Sequence, residues 1–82
     1  MEFSKTVKFV SRPGRFLIYF SDEASIFETN DVGKYIVLAL KANKSIEEIV
    51  NGLNKETNAD KNRIKADVEQ FITLLKSKGI LK

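Results

Sequence analysis

The chain has 82 residues, with 14 Lys and Arg against 11 Asp and Glu for a net charge of +3, enough for one domain over residues 1–82 whose thin core buries roughly 60–65% of the unfolded surface. It has no cysteine and no histidine, which excludes disulfides, thiol nucleophiles and imidazole acid–base chemistry and removes the usual ligands of zinc, copper and haem. The first residues hold no apolar h-region and no run approaches ~18 apolar residues, so the chain is expected to be soluble and cytoplasmic, with no membrane partner.

In chain order, Thr6–Ser11 alternates Val7 and Phe9 with polar neighbours and reads as a strand. Arg12-Pro13-Gly14-Arg15 is a turn, because proline presets φ and glycine tolerates positive φ. Phe16–Phe20 is apolar on both faces, the pattern of a central strand. Ser21-Asp22-Glu23 turns the chain again, and Ala24–Thr29 is a third, weaker strand. With Phe27 facing inward, Ile26 and Glu28 face outward.

At Asn30 the composition changes. Asn30 is placed to cap a helix, with Asp31 at its positive end. The apolar run Tyr35–Leu40 predicts burial of that helix on more than one side, and Asn43-Lys44 closes it. Ser45-Ile46-Glu47-Glu48 is a capping box, followed by Ile46, Ile49, Val50 and Leu53 at helical spacing. Thr57-Asn58-Ala59 is a loop and Asp60 caps a third helix, which Gly79 stops before Ile80 and Leu81 fold back as an apolar clasp.

That third helix places Ile64, Val68, Phe71 and Leu75 in one stripe, flanked by Ile72 on one side and by Asp67 and Leu74 on the other. The arc is wider than one core contact needs, so one edge is expected to face a groove. The order β-β-β-α-α-α predicts an α+β fold, a winged helix-turn-helix in which a three-stranded antiparallel sheet is followed by three helices (β3α3). With Phe16–Phe20 central, Ala24–Thr29 becomes an edge strand facing the third helix across a gap. A bare strand edge on one wall and an apolar helix on the other suit an extended peptide.

Within that gap, Ser25, Ile26, Phe27 and Glu28 are expected to act mainly through backbone groups. Ile64, Val68 and Phe71 serve as core, as groove floor, or as both. Asp67 sits at the apolar margin, where a carboxylate needs a partner: a nearby Lys or Arg, or else a basic side chain or backbone N–H of a peptide. Arg63 lies further out, either solvated or facing peptide acids.

No catalytic set is present: Ser/His/Asp and Cys/His arrangements are impossible, Glu48 is accounted for by capping, and Gly33 alone makes no phosphate loop. No cofactor or metal is expected. The main alternative is a DNA-binding winged helix with Arg12 and Arg15 at a wing tip. Against it, the polar face of the third helix (Lys65, Glu69, Gln70, Thr73, Lys76) has no arginine, and its mixed charge suits phosphates poorly. Self-association through the free strand edge is a third reading.

The stretch Phe27-Glu28-Thr29-Asn30-Asp31-Val32-Gly33-Lys34-Tyr35-Ile36 resembles the join of third strand and first helix in PqqD-like proteins, the precursor-peptide recognition elements of ribosomally made, modified peptides. Asn30, Gly33 and Ile36 fall where that pattern expects them. Ser45-Ile46-Glu47-Glu48-Ile49 is similar to the opening of the family's second helix. Ile64, Asp67-Val68, Phe71, Leu75 and Gly79-Ile80-Leu81 match its third helix and ending. Thr29 and Val37 stand where the family usually has Leu and often Trp, so core side chains are smaller here. The resemblance covers about Val7 to Leu81. It implies a non-catalytic domain of the same β3α3 shape that binds the leader segment of a precursor peptide as an added strand. The leader is then presented to a maturation enzyme such as a radical-SAM enzyme, a cyclase or a leader peptidase.

Overall fold

A computed structural model describes residues 2–20 and 25–82 of the protein. The turn expected at Ser21-Asp22-Glu23, and Ala24 at the start of the third strand, lie outside the described residues.

Three strands form one antiparallel sheet in the order β1-β2-β3: β1 (Lys8–Arg12), β2 (Arg15–Phe20) and β3 (Ser25–Thr29). The first hairpin is tighter than the sequence suggests. Gly14 takes φ +72°, so Pro13-Gly14 alone makes the bend and Arg12 pairs with Arg15. At the other end β1 begins at Lys8 rather than Thr6, because Val7 N–H turns back to the Ser4 carbonyl (3.2 Å).

Register fixes the faces. Phe9, Ile18 and Phe27 align across the sheet, as do Ser11, Phe16 and Thr29, and this face carries the core. Val10, Leu17 and Glu28 align on the other face, where Leu17 is buried outside the main core cluster. The central position expected for Phe16–Phe20 is the one β2 occupies.

Helix α1 (Asp31–Lys41) crosses the core face against β2 and β3. The Asn30 carboxamide oxygen caps it by accepting from Gly33 N–H at 3.0 Å. Ile36, Val37, Ala39 and Leu40 are buried, but Leu38 is 46% exposed. The helix is thus buried on more than one side, as its apolar run implies, while Leu38 stays exposed in a shallow surface hollow beside Tyr35, Ala39, Ala42 and Lys44. Its flanks, Lys34 and Lys41, lean onto β1: Lys34 Nζ donates to Ser11 Oγ (2.9 Å) and Lys41 Nζ lies 4.7 Å from the Phe9 ring centre.

Helix α2 (Ile46–Thr57) opens with both halves of the capping box, Glu48 N–H to Ser45 Oγ (3.1 Å) and Ser45 N–H to Glu48 Oε1 (2.9 Å). It ends at Asn58 in the left-handed region, φ +56°. Helix α3 (Lys61–Ser77) is capped by Asp60 and packs mainly on α2 through Ile64, Val68, Ile72 and Leu75. Gly79, at φ +79°, then reverses the chain and drops Ile80 and Leu81 into the core. The clasp closes on the other end of the chain: Phe3 bridges Leu81, Ser4 N–H donates to the Ile80 carbonyl (2.9 Å) and Lys82 N–H to that of Glu2 (2.7 Å). No described helix is long and apolar enough to cross a membrane.

Candidate functional site

β3 hydrogen-bonds to β2 along one edge only; among the described residues no strand pairs with its other edge. Its outward amide and carbonyl groups thus form a row open to another strand. Alternation places Phe27 half-buried on the core side and leaves Ile26 59% exposed beside that edge.

The facing wall is one side of α3. Because α3 is anchored on α2, its 3.6-residue period turns Asp67, Phe71, Leu74 and Lys78 (i, i+4, i+7, i+11) out of the bundle along a single stripe. Phe71 is half-buried and Leu74 is 40% exposed. The walls meet at one aromatic contact, Phe27 with Phe71, ring centroids 6.1 Å apart and planes at 51°. Above it, Lys78 Nζ lies 5.7 Å from the Phe27 ring centre, a cation–π geometry.

At the other end the groove runs into a depression of about 200 Å³ lined by Val32, Ile36, Leu53, Thr57, Ala59, Ile64, Asp67 and Val68. Asp67 is its one charged lining residue and makes no ion pair among the described residues, although Arg63 stands one helical turn away. Asp67 is exposed, so water solvates the carboxylate that the sequence placed at an apolar margin, and it stays open to a ligand's basic group or N–H.

The remaining predicted residues divide. Ser25 lies half-buried at the start of β3. Glu28 turns to the opposite face of the sheet, where its carboxylate meets the Arg15 guanidinium at 4.0 Å, so only its backbone faces the gap. Ile64 is buried at the rim of the depression, and Val68, at 0% exposure, belongs to the packing beneath it. The Arg63 side chain is exposed, and its backbone N–H is held by the Asp60 cap (3.3 Å). Two residues at the groove carry no clear signal in the sequence: Val32, second in α1 and 46% exposed, and Lys78. For Lys78 only the spacing from Asp67 points there, and the residue sits one position beyond the helix and reads as solvent-facing.

A larger concavity, about 440 Å³, lies on the opposite flank of α3 between Ile46, Glu47, Val50, Asn51, Lys61, Asn62, Lys65 and Glu69. It has no strand edge, and its two lysines are offset by two glutamates, which leaves little positive potential for a phosphate backbone. The site is taken to be the β3–α3 groove because that is where unsatisfied main-chain groups and exposed apolar side chains coincide.

A family model described as coenzyme PQQ synthesis protein D (PqqD) matches residues 17–81. Among solved structures, TbiB1 in complex with the TbiA(beta) leader peptide is similar over 100% of this chain and 95% of that one, with a TM-score of 0.90 and 24% sequence identity, a likeness of fold. No curated protein matches the chain.

Proposed function

We propose that this chain, which belongs to the PqqD family, is a non-catalytic adaptor. It binds the leader segment of a ribosomally synthesised precursor peptide as a fourth strand on β3, and residues 1–82 act as one recognition domain. The carrying observation is the free β3 edge facing the Asp67–Phe71–Leu74–Lys78 stripe. The leader's main chain pairs with Ser25, Ile26, Phe27 and Glu28. Its apolar side chains lie on Phe71 and Leu74 and reach the depression that has Ile64 at its rim and Val68 packed beneath it. Asp67 accepts from a basic side chain or an N–H of the leader, and Arg63 faces acidic residues beyond it. A bound TbiA(beta) leader in a protein of the same fold supports this use of the domain.

Delivery is to a maturation enzyme of the radical-SAM, cyclase or leader-peptidase kind, acting in the cytoplasm where the precursor is made. Binding places an extended segment in a fixed frame, so the enzyme meets an ordered peptide and the ordering entropy has already been lost in the adaptor complex.

Calorimetry with the leader of a precursor encoded beside this chain tests the reading. Binding is expected to survive moderate salt, and to fall with Phe71→Asp or Ile64→Asp in protein whose circular dichroism is unchanged. Duplex DNA binding that collapses between low and physiological salt, together with no leader binding, would favour the winged-helix DNA reader instead. Against that alternative, Arg15 at the hairpin already faces Glu28, and the outer face of α3 is mixed in charge.

A further inference from the structure

Resting on the leader-binding reading, we infer that Lys78 is a specificity-determining residue of the groove and that the leader it selects is polar in charge: a basic residue at one end, apolar residues between, an acidic residue at the other. The groove wall of α3 is itself written this way. Asp67 stands at one end, Phe71 and Leu74 follow, and Lys78 closes the stripe.

Lys78 is held in place by its own backbone. As the C-cap of α3 it donates its N–H to the Leu74 carbonyl (3.1 Å), and Gly79 turns the chain immediately after it. From that fixed root its side chain bends over the Phe27 ring, at the Phe27–Phe71 junction where the walls meet. Among the described residues no carboxylate pairs with its ammonium, and the Phe27 ring is the partner it has. An ammonium over an aromatic face is weakly held when exposed. An incoming strand must move Lys78 aside to reach the rings, and a carboxylate on that strand gives the displaced ammonium a stronger partner than the ring it leaves. A lysine at that position of the strand meets like charge instead. Lys78 thus discriminates while Phe27 and Phe71 supply the apolar contact.

The geometry also gives the spacing and order. Asp67 and Lys78 are eleven residues apart on one helix face, about 16 Å along the axis, which an extended strand spans in about five residues. Asp67 lies at the Val32 end of the groove and Lys78 over Phe27, so the stripe runs opposite to β3. A leader antiparallel to β3, as every neighbouring strand in this sheet is, enters at the Asp67 end and carries its basic residue before its acidic one.

Short synthetic peptides test this, identical except at one position: Lys, a Leu-containing spacer, then Glu, Gln or Lys about five residues later. For the wild-type protein the expected order of affinity is Glu over Gln over Lys, with about two- to fivefold per step, the range of exposed ion pairs. Lys78→Glu is expected to reverse the order and Lys78→Met to flatten it, with unchanged circular dichroism because the side chain is exposed. An order in Lys78→Glu the same as in wild type, or no order in wild type, overturns the role of Lys78 and leaves leader binding standing. Tighter binding of the peptide with Glu first and Lys last overturns the antiparallel placement. If wild-type protein binds none of the probes and no native leader, the leader-binding reading fails and Lys78 with it.

Discussion

Phe27 of β3 and Phe71 of α3 meet with ring centroids 6.1 Å apart and planes tilted by 51°. This pair joins a strand and a helix that are each packed mainly on other elements, β3 on β2 and α3 on α2. Its position makes it at once the stitch between the two walls and the apolar floor offered to a ligand.

Phe71→Ala should therefore act on two quantities. Stability should fall by about 1–2 kcal/mol, less than the ~3–5 kcal/mol of a fully buried phenylalanine, since Phe71 is only half-buried. Leader affinity should fall about tenfold or more, as for a central aromatic anchor. Urea unfolding and calorimetry read the two separately. An intact affinity with lowered stability would make Phe71 a packing residue alone.

Gly33 and Thr29 make a second test, located where β3 passes into α1. A Cβ on Gly33 would stand 2.7 Å from Thr29 Cγ2, with Thr29 Oγ1 nearer still. Gly to Ala in a helix ordinarily stabilises by about 0.5–1 kcal/mol; here Gly33→Ala should instead destabilise by about 1–3 kcal/mol through overpacking. Adding Thr29→Ala should recover part of the loss, which thermal melts of the two single variants and the double variant would show as coupling.

The capping box predicts a pH dependence. The Ser45 backbone N–H, and then its hydroxyl, hold the Glu48 carboxyl below the usual carboxylate range. A folded-state value lowered from the unfolded one stabilises the protein above the ordinary carboxylate pKa, and that contribution is lost as pH falls through the depressed value. Glu48→Gln should therefore lower stability at neutral pH and above by a pH-independent amount, leave the slope there unchanged, and flatten the acid limb of the stability–pH curve. Denaturant midpoints across that range would measure it.

The two edges of the sheet are treated differently. Along β1, Lys34 reaches Ser11 and Lys41 covers Phe9, a common way to discourage a second strand. Replacing both with threonine should leave folding intact and raise self-association, seen as a concentration-dependent increase in sedimentation coefficient. Peptide stoichiometry at β3 should stay at one.

Much of the fold was legible because its signals are local. Asn30, Ser45 with Glu48, Asp60 and Gly79 mark helix ends through hydrogen bonds and dihedrals that span only a few residues. The stripe on α3 was legible because period 3.6 fixes which residues share a face; it put Ile72 and Leu74 on opposite flanks, and only the fold shows that the first is buried and the second exposed. What escaped depends on partners distant in sequence. The exposure of Leu38 follows from where sheet and bundle end, and the pairing of residues 2–4 with 80–82 has no local cue. Within the site, Val68 and Phe71 lie on the same arc, and only the position of α2 sends one wholly into the core and the other to the groove.

The bond from Lys82 N–H to the Glu2 carbonyl nearly closes the backbone into a ring. A short flexible splice across it should let the polypeptide be opened elsewhere, for instance at the exposed Pro13-Gly14 bend, and still reach the same architecture. Entry and exit at one spot are also what a module needs to sit inside a larger protein, since the host sequence can leave and resume there without stretching.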